Sequence, residues 1–523
     1  MSSQTIKTTL AQITTRIIAR FRGEGARGSQ NSTIARRAER SAEPVEAPSG
    51  APGAAQAAAR STGHPLKPIP GFQPHPNPIF DGPWHWAQLG VMALPFSVVL
   101  GGIAWMVALV WTTRLWIAQA RERLEPTKPD PVPGGYASVA QGWDWLDRSW
   151  GILAIGMILS TSVAAYPGEA WVGLANFLPC FWFFAAVSRL VQFPEQLRQL
   201  ARIQAYSAVP IIVMGGLALG GWISGPVNWS VVVQWPLEAG GTPPGRMAGV
   251  FAYANVLASY LVVTLGLTLG LVVETWKMRS PRQSSARSTP MFLIWIAILG
   301  LQGLGIVLTH SRNAWGVGLL LGLVTAARLG WFGVIWATGG AVAAVLWAAF
   351  GGVGRDLARG VVPRFVWARL NDDLYGDRPL PELRITQWQF AWDLTQQRPW
   401  TGWGLRNFTP LYETATNFWL GHPHNFFLML SAELGVPLTV GFLAVVGWIL
   451  AQGVVRWRSW PCIPARFDPD RAMLLTYLLT FGGCVAFNCL DITLFDYRIN
   501  LTNWLLLGAI AGVSRRAGIG KNL

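Results

Sequence analysis

The chain has 523 residues, 51% of them hydrophobic and only 13% charged, with a formal net charge of +15. Soluble globular domains carry about a quarter charged residues, so a chain that lives mainly in water is excluded. The positive charge does not indicate nucleic acid, because the Lys and Arg residues collect in loops that would share one membrane face.

Residues 1 to about 80 are rich in Ala, Ser, Pro, Gly and Arg, without an apolar run long enough for a signal-peptide core. A disordered basic cytoplasmic tail is expected. Within it Leu10, Ile13, Ile17 and Phe21 would share one helical face, with Arg16 and Arg20 off that face. Such a face suits anionic lipid or an organelle transit peptide; a merely solvated tail is the plain alternative.

From Trp86 onward, apolar runs of about 20 residues recur, each enough to cross roughly 30 Å of hydrocarbon. The stretch from Ala87 to Ala118 is flanked by arginines on both sides, and a hairpin of two short helices keeps both flanks on one face. Further spans are predicted at 149–166, 170–189, 206–224, 248–274, 291–309, 312–328, 331–350, 436–455, 471–490 and 496–513. The fold class is therefore an all-α polytopic membrane protein with about 12 transmembrane helices, a membrane domain over 87–513 and a short tail at 514–523. With the N-terminus inside, the loops holding Arg198 and Arg202, Lys277 to Arg287, Arg456 to Arg466, and Arg515 to Lys521 all fall on the cytoplasmic face. The 29 tryptophans, among them Trp143, Trp145, Trp222, Trp229, Trp400 and Trp403 near span ends, suit membrane interfaces. Cys180, Cys462, Cys484 and Cys489 lie in spans or a cytoplasmic loop, where disulfides are not expected.

Residues 351–423 form the one large extracytoplasmic loop. Residues 383–398 read as an amphipathic helix with Ile385, Trp388, Ala391 and Trp392 on one face at the membrane surface, and Arg384 sharing it. Pro399 ends that helix, a glycine-containing turn follows, and HPHNFFLMLSAELG makes a short helix leading to the span near Pro437.

Of six histidines, two stand in His422-Pro423-His424 at a lipid–water boundary. A neutral imidazole is a natural general base near neutral pH. The competing readings are a His beside a helix capped by Asn425, and a metal site, which the shortage of further ligands disfavours: no cysteine and no clear carboxylate partner is evident. Arg312 opens a helix whose positive end faces outward, where an anion is favoured and a guanidinium adds bidentate phosphate recognition. Arg384, Arg246 and Arg406 are further outer-face arginines. Asp372, Asp373, Asp377 and Glu382 read as solvated loop acids, and Glu433 lies nearly opposite His424 around its helix. No nucleotide-cradling motif is present, so no cofactor is expected and a sugar donor would have to be lipid-borne.

The order SRNAW opening a span, then R-x3-W-x3-W before RPWTGWGLRNF, then HPHNFFLMLSAELGVP, resembles the O-antigen ligase and O-antigen polymerase family of bacterial envelope enzymes. RMAGVFAYANVLASYL is similar to that family as well. The resemblance implies an inner-membrane, metal-independent transferase with a periplasmic site and an undecaprenyl-pyrophosphate-linked glycan donor. Its acceptor would be a glycan or lipid A core, its surroundings membrane lipids, and nucleic acid no partner. It further implies His424 as base and Arg312 and Arg384 on the pyrophosphate. His422, Asn425, Arg246 and Arg406 are secondary candidates. Relatives described as bicarbonate transport components make a small-anion transporter the alternative, although the span interiors hold almost no ionisable residues. An inactive scaffold is a third.

Overall fold

The computed structural model describes residues 71–124, 144–229, 232–279, 288–371, 379–461 and 467–516. The amphipathic face at residues 10–21, the acids Asp372, Asp373 and Asp377, and Trp143, Arg282, Arg287, Cys462, Arg466 and Lys521 lie outside them. Cys180, Cys484 and Cys489 are free thiols.

The described chain is helical apart from one two-stranded antiparallel ribbon, β1 (Val227–Trp229) and β2 (Val233–Trp235). Its helices are α1 (Asp81–Ala93), α2 (Val98–Leu124), α3 (Asp144–Ser162), α4 (Pro167–Leu174), α5 (Leu178–Leu190), α6 (Pro194–Leu219), α7 (Ala254–Lys277), α8 (Ser288–Leu308) and α9 (Arg312–Leu329). Then follow α10 (Phe332–Phe350), α11 (Arg355–Val361), α12 (Arg364–Leu370), α13 (Arg384–Gln397), α14 (Phe408–Thr416), α15 (Phe426–Arg458), α16 (Pro469–Asn488) and α17 (Tyr497–Arg516).

A helix coincides with every predicted span. Seven segments among the described residues are long and apolar enough to cross a membrane, in α2, α4–α5, α6, α7, α8, α10 and α15. Helix α10 shows why a bilayer is required: it is wholly apolar, yet only Ala348 and Ala349 are buried and Trp336 is 79% exposed. Lipid must cover that surface.

Three local expectations change. Residues 71–80, expected within the tail, are packed: His75 bonds through both ring nitrogens, Nε2 to the carbonyl of Leu190, and Asn77 caps a 3₁₀ turn. The predicted hairpin exists but is uneven, pairing the 13-residue α1 with the 27-residue α2. Gly82 faces Trp111 and Gly90 faces Trp105 so closely that any side chain on either would strike an indole. Finally, α13 buries Gln387, Ala391, Leu394 and Thr395 against α15, while Ile385 and Trp392 are exposed. The glycine turn and α15 hold that inner face, so the residues read from sequence as one face are divided: Ala391 packs inward, whereas Ile385 and Trp392 point outward.

The bundle has two chemically distinct ends. At one, Arg198 at the start of α6 bonds Glu274 at the end of α7 and Asp470 at the start of α16. There too Arg328 of α9 and Arg471 of α16 lie over Trp457 of α15, and Arg516 of α17 lies over Phe193. The basic helix termini therefore gather in space as the charge pattern required. The other ends of α7, α9, α15, α16 and α17 meet at the opposite end.

There α15 is not one straight helix. Gly435 has φ +77°, and the rings of Phe426 and Phe442 are 6.3 Å apart although 16 residues of straight helix would separate them by about 24 Å. The glycine turn makes the bend: Val436 donates to Pro399 O (2.7 Å), Trp403 to Ala432 O (3.0 Å) and Gly404 to Glu433 O (2.8 Å). The short helix leading to a span near Pro437 is thus present, as the sequence indicated.

Candidate active site

Asn425 caps the bent-back start of α15, its Oδ1 accepting from Phe427 and Leu428 N–H, each at 3.1 Å. That is the plain capping role foreseen for it. The cap holds the preceding residue, His424, in the left-handed region at φ +53°. His310 and Arg406 share this conformation, which is uncommon for non-glycine residues and concentrates at functional sites.

His424 Nδ1 lies 3.0 Å from Asp491 Oδ1, in the loop between α16 and α17. Asp491 also accepts from Ile492 N–H at 2.9 Å and, through Oδ2, from Asn255 Nδ2 at 2.7 Å. The Arg246 guanidinium donates to Asn255 Oδ1, and its Nε donates to Thr309 O at 2.8 Å. The polarity of this chain is fixed by its ends, because a guanidinium only donates and a carboxylate only accepts. Asn255 must therefore turn its oxygen to Arg246 and its amide to Asp491.

Burial alone would raise the Asp491 carboxyl, but the His424 hydrogen bond and the charges of His424 and His422 outweigh it and hold it at about 2. An ionised Asp491 places the His424 proton on Nδ1 and leaves Nε2 with its lone pair. His424 remains 26% exposed, so that lone pair is within reach of a ligand. His422 accepts the His424 backbone N–H on Nδ1 at 3.2 Å and stacks on Phe495. Burial first, then the charge of His424, lower its pKa to about 4, with Arg384 contributing in the same direction. His422 keeps some accessible surface, yet enough protein surrounds it to favour the neutral ring.

On the far side of this chain the α8–α9 turn brings in more cations. The Arg312 guanidinium donates to Arg369 O at 3.0 Å, and Arg369 Nε donates to His310 O at 3.0 Å. Burial, followed by the charges of Arg369 and Arg246, lowers His310. Ser311 caps α9, and Asn313 anchors it to Phe487 O at 2.7 Å. The structure thus joins His424, His422 and Arg246 in one cluster, sets Arg312 beside Arg369, and brings the charge of Arg384 to His422. Arg406 is ion-paired with Glu169 at 3.0 Å and lies over Phe495, the ring on which His422 stacks. Glu433 is buried, accepts from Phe408 N–H and is not paired with His424.

The expectation that His424 lacks a carboxylate partner is corrected by Asp491. Sequence reasoning also missed Arg369. Asn255 sits in the motif AYANVLA, a signal that marked the segment without giving the residue its part. His422, His424 and Asp491 offer ligand atoms within 4.8 Å of one another, a set that could hold a metal ion. Part of that donor capacity is already used: both Asp491 oxygens accept protein donors, and His422 Nδ1 accepts a backbone N–H. A proton-transfer pair fits the geometry better.

Residues 293–443 match the family model described as O-antigen ligase. Over these residues the chain is similar to the O-antigen ligase family. The match takes in Arg312, Arg384, Arg406, His422, His424 and Asn425, whereas Arg246, Asn255 and Asp491 lie outside it. No curated protein matches the chain. The apolar helices and the match over residues 293–443 agree in pointing to a membrane protein similar to the O-antigen ligases in that segment.

Proposed function

We propose that the protein transfers a glycan from an undecaprenyl pyrophosphate carrier to an acceptor hydroxyl, with its site on the periplasmic face and its basic helix ends in the cytoplasm. The observation that supports this best is the His424–Asp491 pair, because it leaves an imidazole lone pair for substrate at the end of the bundle opposite Arg198 and Arg516. His424 Nε2 takes the acceptor hydroxyl proton, and the oxygen attacks the anomeric carbon as its bond to the pyrophosphate breaks. The carrier leaves with the electron pair, and the anomeric centre inverts. Asp491 orients the ring and offsets the charge His424 gains. Arg312 and Arg384, joined by Arg246 and Arg369, stabilise the negative charge growing on the departing pyrophosphate. Asn425 shapes the helix start and Arg406 the surrounding loop.

In cells lacking the protein, wild type restores polymeric surface glycan and His424→Ala at matched expression does not, while lipid-linked precursor accumulates. Full rescue by the alanine variant would remove His424 as base and return attention to a small-anion transporter. Single cysteines replacing Trp419 and Ser459 should label from the periplasm and only from the cytoplasm, respectively. Labelling of both from one side would refute the orientation.

A further inference from the structure

At the basic end of the bundle, opposite the dyad, the nearby carboxylates are already engaged. Glu274 and Asp470 bind Arg198, and Asp468 caps α16 while accepting Trp460 Nε1 at 3.1 Å. Two arginines there are left without an acid. Among the described residues Arg328, in the last turn of α9, makes neither ion pair nor hydrogen bond and lies 4.8 Å from the centre of the Trp457 ring. Arg456, in the last turn of α15, lies 4.2 Å from the Trp460 ring, and its buried Nε has no partner. The two indoles, about one helical turn apart, both pack on the main core. Arg471 adds a third guanidinium over Trp457, its Nε donating to Trp457 O at 3.1 Å. The shelf formed by Trp457 and Trp460 therefore carries positive charge that the protein itself does not neutralise.

A narrow cleft of about 60 Å³ between α7, α9 and α16 begins at Arg328. Along α16 it spans Ala472 to Thr480, eight residues or about 12 Å at the helical rise. Thr325 and Thr476 turn their hydroxyls back to the carbonyls of Leu321 and Ala472, so their polar atoms are spent and hydrocarbon dominates the walls. On the inner side Gly266 and Gly270 lie so close to Thr480 and Thr476 that a Cβ on either would strike them, which seals the cleft there. On the outer side it stays open, since Leu269, Val273, Leu475 and Leu479 line it and are only half-buried.

We infer that shelf and cleft together bind an anionic phospholipid of the adjoining leaflet, its phosphate among Arg328, Arg456 and Arg471 and part of one acyl chain in the cleft. Guanidinium N–H groups match phosphate oxygens, and an indole beneath a guanidinium holds it in place before the lipid arrives. Basic pockets between helix ends recognise such headgroups. A zwitterionic headgroup brings its own cation to the same arginines and is disfavoured. Because the shelf lies at the far end of the bundle from His424, the inference stands independently of the transferase reading.

The test uses the purified full-length protein, delipidated in detergent, with dioleoylphosphatidylglycerol as the probe. Native mass spectrometry should show it retained about tenfold more tightly than dioleoylphosphatidylethanolamine, and it should raise the melting temperature. Glycerophosphoglycerol, the same headgroup without chains, should not compete at equal concentration. Arg328→Gln with Arg456→Gln should weaken retention about tenfold or more. Arg121→Gln with Arg148→Gln, which removes two exposed cations on α2 and α3, should not. Leu475→Trp, which fills the cleft and keeps every charge, should weaken retention as well. Phosphatidylglycerol bearing a diazirine on one acyl chain should crosslink to peptides covering 269–273, 325–329 or 472–479. Equal retention of the two phospholipids, competition by the free headgroup, equal loss in the control pair, unchanged retention in Leu475→Trp, or crosslinks confined to other segments would overturn the proposal.

Discussion

His424 Nδ1 and Asp491 Oδ1 meet at 3.0 Å across 67 residues of sequence. The carboxylate fixes which imidazole nitrogen carries the proton, and so which one faces a substrate. Arg246, through Asn255, fixes the carboxylate in turn.

Replacing Asp491 by Asn should lower kcat about 10²–10⁴-fold, the usual contribution of a positioned base, because the ring then loses its preferred tautomer. The double variant with His424→Ala should be scarcely slower than either single variant, since the two act as a unit. Turnover of a lipid-linked donor by reconstituted protein checks both. Multiplicative losses would show that the residues act independently.

The pair also predicts an acid limit on stability. The folded pKa of His422, about 4, lies below its ordinary value of 6.5. The unfolded chain binds the proton first, so the contribution of neutral His422 is complete above pH 6.5 and is lost as pH falls toward 4. Asp491, lowered from 3.8 to about 2, adds a further loss only below pH 3.8. Thermal unfolding in detergent should show wild type weakening between pH 6.5 and 4, and His422→Gln should be flatter over that window. Parallel curves would contradict the assignment.

Gly435→Ala should destabilise strongly. At φ +77° the new Cβ would lie 2.7 Å from Trp400 O and 2.9 Å from Pro399 O, both backbone atoms of the turn that makes the bend. With ψ 167° the position lies in a backbone region that is essentially glycine-only and costs about 1–3 kcal/mol for a residue with a Cβ. A lower melting temperature is expected, together with lost transfer, because the bend presents His424. An unchanged melting temperature would mean the turn yields freely.

Exhaustive treatment with EDTA should leave turnover unchanged, since a proton-transfer pair needs no ion and protein donors already occupy His422 Nδ1 and both Asp491 oxygens. Loss of activity restored by one divalent cation would reassign the three residues as ligands.

How much of this was legible in sequence depended on whether the signal was local. Spans α7 and α8 declare themselves by uninterrupted apolar length, and the gathering of Arg198, Arg328, Arg456 and Arg515 at one end follows from charge at helix termini. His424 and Arg312 were also readable, each an unusual residue type beside a helix start, and Asn425 was a cap by type and place. These properties belong to short windows of chain, where hydration and backbone capping act on neighbours in sequence. What α13 packs against was not legible, because the turn at Trp400–Gly404 and α15, rather than the helix's own apolar stripe, decide it. Asp491 could not be paired with His424, nor Asn255 with both, because those contacts arise only when α7, α15 and the α16–α17 loop converge. Sequence alone determined the solvent the chain needs and marked His424 and Arg312 as candidates; tertiary packing decided which carboxylate meets His424, since hydrogen-bond direction depends on the partner brought within 3.0 Å.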